Sequence, residues 1–89
     1  MAQLVTPIFT KKFKKQFKKL PLSLRKRFDI KLSFLLTNPR HPSLQAKKMA
    51  GAEIFEARLT EHYRFTYQLM EDRACFLTVG PHDEGLGKK

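Results

Sequence analysis

The sequence predicts an α+β domain in which an N-terminal helix hairpin packs on a small antiparallel sheet, with elements in the order β-α-α-β-β-β. Two observations lead to this. Apolar residues recur with a helical period through residues 11–37, and from residue 53 onward the period drops to two. Prolines at 21 and 39 mark the breaks.

The elements follow in order. Residues 2–8 read as a short strand. Thr10 is a candidate N-cap for a helix over Lys11–Lys19. Phe13, Phe17 and Leu20 form its apolar stripe, and six lysines (Lys11, Lys12, Lys14, Lys15, Lys18 and Lys19) cover the other faces. A second helix is predicted from Leu22 to Thr37, with Leu24, Phe28, Leu32, Leu35 and Leu36 on one face. It ends at Asn38-Pro39, because the residue before proline avoids helical angles. The segment from Arg40 to Ala52 reads as a loop. Strands follow over Glu53–Thr60, Tyr63–Met70 and Ala74–Val79, joined by turns at Glu61-His62 and Glu71-Asp72-Arg73. Alternation puts Phe55, Ala57, Leu59, Phe65 and Tyr67 toward the helices. Glu56, Arg58 and Arg64 then converge on the open face. Cys75, alternating with Leu77 and Val79, is expected in the core.

Eighty-nine residues suffice for one domain, residues 1–89. With 42% hydrophobic residues, eight of them Phe, the chain is too apolar for a disordered tail. A net charge of +10 favours nucleic acid, an acidic membrane surface or an acidic protein. That charge is uneven. Residues 1–50 carry 13 basic side chains and one acid, a net of +12, whereas residues 51–89 have a net of −2. The single cysteine excludes an internal disulfide and fits a reducing, cytoplasmic setting. No apolar run approaches the roughly 18 residues of a membrane span, and Met1–Ile8 does not read as a secretory signal.

The HPSL loop, the KKMAG segment, the strands IFEARL and YRFTYQL and the closing VGPHDE resemble, in this order, the RelE/ParE superfamily of type II toxin–antitoxin systems. The resemblance implies a toxin held inactive by a cognate antitoxin. For RelE-like members it implies a metal-independent, cofactor-free endoribonuclease that cuts mRNA at the ribosome. ParE-like members poison DNA gyrase instead, and a non-catalytic basic RNA- or ribosome-binding module is a third reading. Operator DNA would be met only through the antitoxin complex.

Metal-free RNA cleavage needs a base for the 2′-hydroxyl, positive charge around the phosphorane and a proton for the 5′ oxygen. His82 is the candidate acid, because an imidazole exchanges protons near neutral pH. Arg64, at the family's YR position, is the candidate phosphate ligand, its plainer alternative being a salt bridge to Glu56. Arg58 shares that face, and Glu56 would act as base or orient Arg58. The family's lysine-rich members carry lysine at these two positions, so the glutamate is a departure. Many relatives also use a tyrosine near the C-terminus. The last tyrosine here is Tyr67, which throws the chemistry onto His82. His41, Lys47 and Lys48 are candidate RNA contacts in the loop, and the six helix lysines a candidate docking surface for RNA. The consecutive residues His82, Asp83 and Glu84 do not make a metal site, and none is expected.

Overall fold

The computed structural model describes residues 5–38, 40–49 and 53–81. Its elements are β1 (Thr6–Phe9), α1 (Lys11–Lys18), α2 (Leu22–Thr37), a short 3-10 turn (Pro42–Leu44), β2 (Lys47–Lys48), β3 (Ile54–Arg58), β4 (Tyr63–Leu69) and β5 (Arg73–Pro81). The class and the order of the main elements are as predicted. Among the described residues no helix is long and apolar enough to cross a membrane.

The five strands form one sheet in the order β1-β5-β4-β3-β2. Every pairing is antiparallel except β1 with β5, which is parallel. The antiparallel meander expected of the three C-terminal strands is present, and β1 joins it in parallel, so the sheet is mixed. Tight hairpins force antiparallel pairing, but β1 reaches the sheet by way of two helices and is free to pair either way. β1 also lies later than residues 2–8, of which 2–4 are outside the described residues. The loop expected from Arg40 to Ala52 contains the 3-10 turn and the two-residue edge strand β2, with residues 50–52 outside the described set.

Both helices lie on one face of the sheet. Phe28 meets Phe65 edge-on, with centroids 5.1 Å apart, and Phe76 likewise at 5.6 Å. Phe13 joins them at 5.4 Å from Phe28 and 5.6 Å from Phe76. Such tilted arrangements suit the ring quadrupoles. Leu35, Leu44, Ala57, Leu59 and Tyr67 complete a core from which water is excluded.

α1 also finishes the sheet. β1 stops opposite Phe76, leaving the rest of β5 without a neighbour on that side. Thr10 takes over: its hydroxyl donates to the Phe76 carbonyl at 2.9 Å and accepts from the Phe13 N–H at 3.1 Å. Nearly two turns on, the Gln16 amide oxygen accepts from the Val79 N–H at 2.9 Å. Thr10 is therefore the helix cap the sequence suggested and a sheet residue as well.

Two details overturn sequence expectations. Tyr67 pairs with Phe76 and Thr66 with Thr78, so Leu77 is an extra residue in β5, a β-bulge. The bulge resets the alternation. Ala74, Phe76 and Val79 are buried, while Cys75 is only half-buried and not a core residue. Between β3 and β4 the loop spans Leu59 to His62 rather than Glu61-His62 alone. The Thr60 hydroxyl shapes it by accepting from the N–H groups of His62 at 3.3 Å and Tyr63 at 3.2 Å.

Thr10→Ala should cost about 1–2 kcal/mol in urea unfolding, because one cap and one sheet contact are lost together, whereas Lys15→Ala should stay within about 0.5 kcal/mol. Tyr67 supplies a pH test. Its hydroxyl is buried with no partner among the described residues, and burial pushes the phenol up to about 12. The unfolded chain loses that proton near pH 10 and the folded chain near pH 12. Stability should therefore fall between these values, by on the order of 2–3 kcal/mol. Tyr67→Phe should remove that alkaline loss and leave stability at pH 7 unchanged or slightly higher.

Candidate functional site: a cationic cleft on the open sheet face

The face of the sheet away from the helices is polar. Strand register arranges it in rows. Lys47, Glu56, Thr66 and Thr78 lie side by side across β2, β3, β4 and β5, and Arg58, Arg64 and Gly80 form the next row. Gln45, Lys47, Glu56, Arg58 and Arg64 line a cleft of about 260 Å³. Three cations thus surround one carboxylate.

Arg58 and Arg64 are direct cross-strand partners. Like charges in that relation repel, and nothing in the core requires them. Each is held by neutral acceptors. The Arg58 Nη1 donates to the Gln45 Oε1 at 2.9 Å. The Arg64 Nη1 donates to the carbonyls of Thr60 at 2.6 Å, Glu61 at 3.0 Å and Tyr63 at 3.1 Å. These bonds fold the guanidinium against the β3–β4 loop without neutralising it. Two fixed guanidiniums on adjacent strands match the forked geometry that a phosphate accepts.

Glu56 is 7% exposed, and its Oε2 is buried without a hydrogen-bond partner. The salt bridge to Arg64 that the sequence allowed is absent: the ion pairs among the described residues are Lys48–Glu53 and Arg73–Asp72. Glu56 thus shares the cleft with three cations and forms an ion pair with none of them. Next to it in the row, the Thr66 and Thr78 hydroxyls share a 2.6 Å hydrogen bond.

The other candidates are distributed differently. Lys47 belongs to the cleft, but Lys48 pairs with Phe55 in register and bonds Glu53 at 3.4 Å. The His41 Nδ1 accepts from the Ser43 N–H at 3.1 Å and lies 2.9 Å from its hydroxyl, while its ring stacks on Phe34 at 4.1 Å. His41 thus caps the 3-10 turn and does not line the cleft. Lys11, Lys12, Lys14, Lys15 and Lys18 on α1 and Lys19 at its C-cap are all exposed, in the layer on the opposite side of the sheet. His82 follows Pro81 and lies outside the described residues.

Sequence reasoning missed Gln45 and Lys31. The Lys31 Nζ donates to the Ser43 carbonyl at 2.6 Å. Burial, then the charges of Arg27 and Arg58, hold its ammonium below the ordinary lysine value. Neither residue carries a periodic or motif signal, since each acts through a turn that the sequence shows only as HPSL.

If the cleft is an anion site, phosphate should stabilise the folded chain. At about ten times its dissociation constant, inorganic phosphate should add about 1.4 kcal/mol. Thermal unfolding in phosphate, against chloride at matched ionic strength, should show the rise for the wild type and lose it in Arg58→Ala/Arg64→Ala.

No protein-family model and no curated protein matches the sequence. Solved structures do match. The chain resembles RelE in the archaeal RelE–RelB complex from Pyrococcus horikoshii with a TM-score of 0.79 and 20% identity, over 93% of this chain and 100% of that one. It resembles the E. coli RelBE toxin–antitoxin complex at 0.74 and 22%, over 86% and 95% of the two chains. The E. coli DinJ–YafQ toxin–antitoxin complex matches at 0.74 and 14%, over 94% and 99%. Matches of this extent at such low identity are matches of fold, and the chain has the fold of the RelE-type toxins.

Proposed function

We propose that this chain is the toxin of a type II toxin–antitoxin pair and that it cleaves mRNA at the ribosome as a metal-independent endoribonuclease. The observation that carries the reading is the facing pair Arg58 and Arg64 in one cleft with the Glu56 carboxylate. Structural fold alone does not supply chemistry, but these three groups suit a phosphodiester.

In the proposed reaction, Arg58 and Arg64 bind the non-bridging oxygens of the scissile phosphate. The Glu56 carboxylate, in the wall of the cleft, takes the proton of the adjacent 2′-hydroxyl as the 2′ oxygen attacks phosphorus. The arginines stabilise the charge that develops on the phosphorane. The bond to the 5′ oxygen then breaks, and His82 supplies the proton to that leaving group. The products are a 2′,3′-cyclic phosphate and a 5′-hydroxyl, with no redox change and no cofactor. Lys47 adds charge at the edge of the cleft.

The exposed lysines of α1 lie on the other side of the sheet, so they serve docking to RNA or the ribosome and not the cleaved linkage. A cognate antitoxin is the second partner. RelB and DinJ accompany the toxins in the matching complexes, and an acidic segment would complement a chain of net charge +10.

Induced expression followed by mapping of mRNA 5′ ends, with a gyrase supercoiling assay in parallel, tests the reading. The wild type should arrest growth and produce new ends within coding regions. Glu56→Gln and His82→Ala should each reduce cleavage by about 10²-fold or more. Intact mRNA with inhibited supercoiling would replace this reading with the gyrase one, and arrest with neither effect would point to binding without cutting.

A further inference from the structure

Gln45 is the one non-glycine residue with positive φ among the described residues, at φ 46° and ψ 42°. That left-handed conformation is unfavourable for a side chain with a Cβ. Gln45 is itself exposed, so burial does not explain why the strain is kept. The surrounding bonds show what holds it. Its N–H donates to the Pro42 carbonyl at 3.0 Å, closing the 3-10 turn. The turn is fastened to α2 at two points, by the Lys31 Nζ on the Ser43 carbonyl and by the His41 ring on Phe34. Leu44, fully buried, anchors it in the core. At the far end of this brace, the Gln45 Oε1 accepts from Arg58. Strain retained by a rigid surround, ending on a cleft residue, is the pattern expected of a functional constraint.

We infer that Gln45 is a positioning residue: the turn braced by Lys31 and His41 delivers its amide to Arg58 and holds that guanidinium opposite Arg64, set for a phosphate of an RNA strand. The inference rests on reading the cleft as an RNA-phosphate site. Left free, Arg58 would swing away from Arg64, since the two repel. A carboxylate at position 45 would also hold Arg58, but it would neutralise the charge that the phosphate needs. A neutral amide orients the guanidinium and leaves its charge available.

The test uses the full chain with two RNA probes. One is a 2′-O-methyl RNA oligonucleotide, which binds but cannot be cleaved through its 2′ oxygens. The other is the unmodified RNA. Gln45→Gly accepts the left-handed conformation, so its melting temperature should equal or exceed the wild type. Its affinity for the 2′-O-methyl RNA should nevertheless drop about tenfold, the effect of losing one hydrogen bond to a charged group. Gln45→Glu still holds Arg58 but offsets its charge, so at an unchanged melting temperature it should raise KM and lower kcat on unmodified RNA together. A Gln45→Gly variant with wild-type affinity overturns the inference. So does one whose affinity falls only together with its melting temperature, or a Gln45→Glu variant that binds and cleaves like the wild type. A wild type that binds the 2′-O-methyl RNA and fails to cleave the unmodified one overturns the nuclease reading and leaves the role of Gln45 standing. A wild type that binds neither overturns both.

Discussion

The edge-on packing of Phe28 against Phe65 and Phe76 decides which face of the sheet is covered and which is left open. Side chains on a strand alternate, so committing Phe65 to the helices commits Arg64 to the other side. The same holds on β3, where buried Ala57 lies between Glu56 and Arg58 in sequence. A one-residue slip in register would bury two guanidiniums in an aromatic core and expose the phenylalanines. Core packing and the cationic cleft are thus two results of one register.

Charge is divided along the same line. The α1 lysines and the cleft lie on opposite layers, so the net charge of +10 reports two surfaces and not one. The α1 lysines are all exposed, where attraction to a polyanion is general and falls with salt. In the cleft, guanidiniums are oriented by neutral acceptors in a concave, partly buried setting, where direction matters as much as charge.

Much of this was legible in the sequence, and what was not has physical reasons. The stripes Phe13–Phe17–Leu20 and Leu24–Phe28–Leu32–Leu35 are periodic, so both helices could be placed. Strict alternation in IFEAR and YRFTYQL was enough to bring Glu56, Arg58 and Arg64 to one face. The parallel pairing of β1 was hidden, because alternation marks a strand without naming its neighbour. The bulge at Leu77 was hidden too, since an inserted residue leaves no mark in composition. It carried Val79 to the core and so broke the alternation that had grouped Val79 with Cys75, which faces away between buried Ala74 and Phe76. His41 was a candidate RNA contact through its place in the HPSL loop, and the Nδ1 bond by which it caps the turn depends on a loop geometry that the sequence does not display. Gln45 and Lys31 were invisible because their roles depend on contacts between residues 13 and 12 positions apart in the chain.

If these few side chains cleave RNA as proposed, the nucleophile is the RNA's own 2′-hydroxyl. The most direct measurement compares one RNA with the same RNA carrying a single 2′-deoxynucleotide at the cleaved position, in the presence of a metal chelator. The all-RNA substrate should be cut to a fragment ending in a 2′,3′-cyclic phosphate, and the deoxy-substituted one should survive at that site. Cleavage of the deoxy-substituted substrate there, or a product ending in a 3′-hydroxyl, would contradict this mechanism.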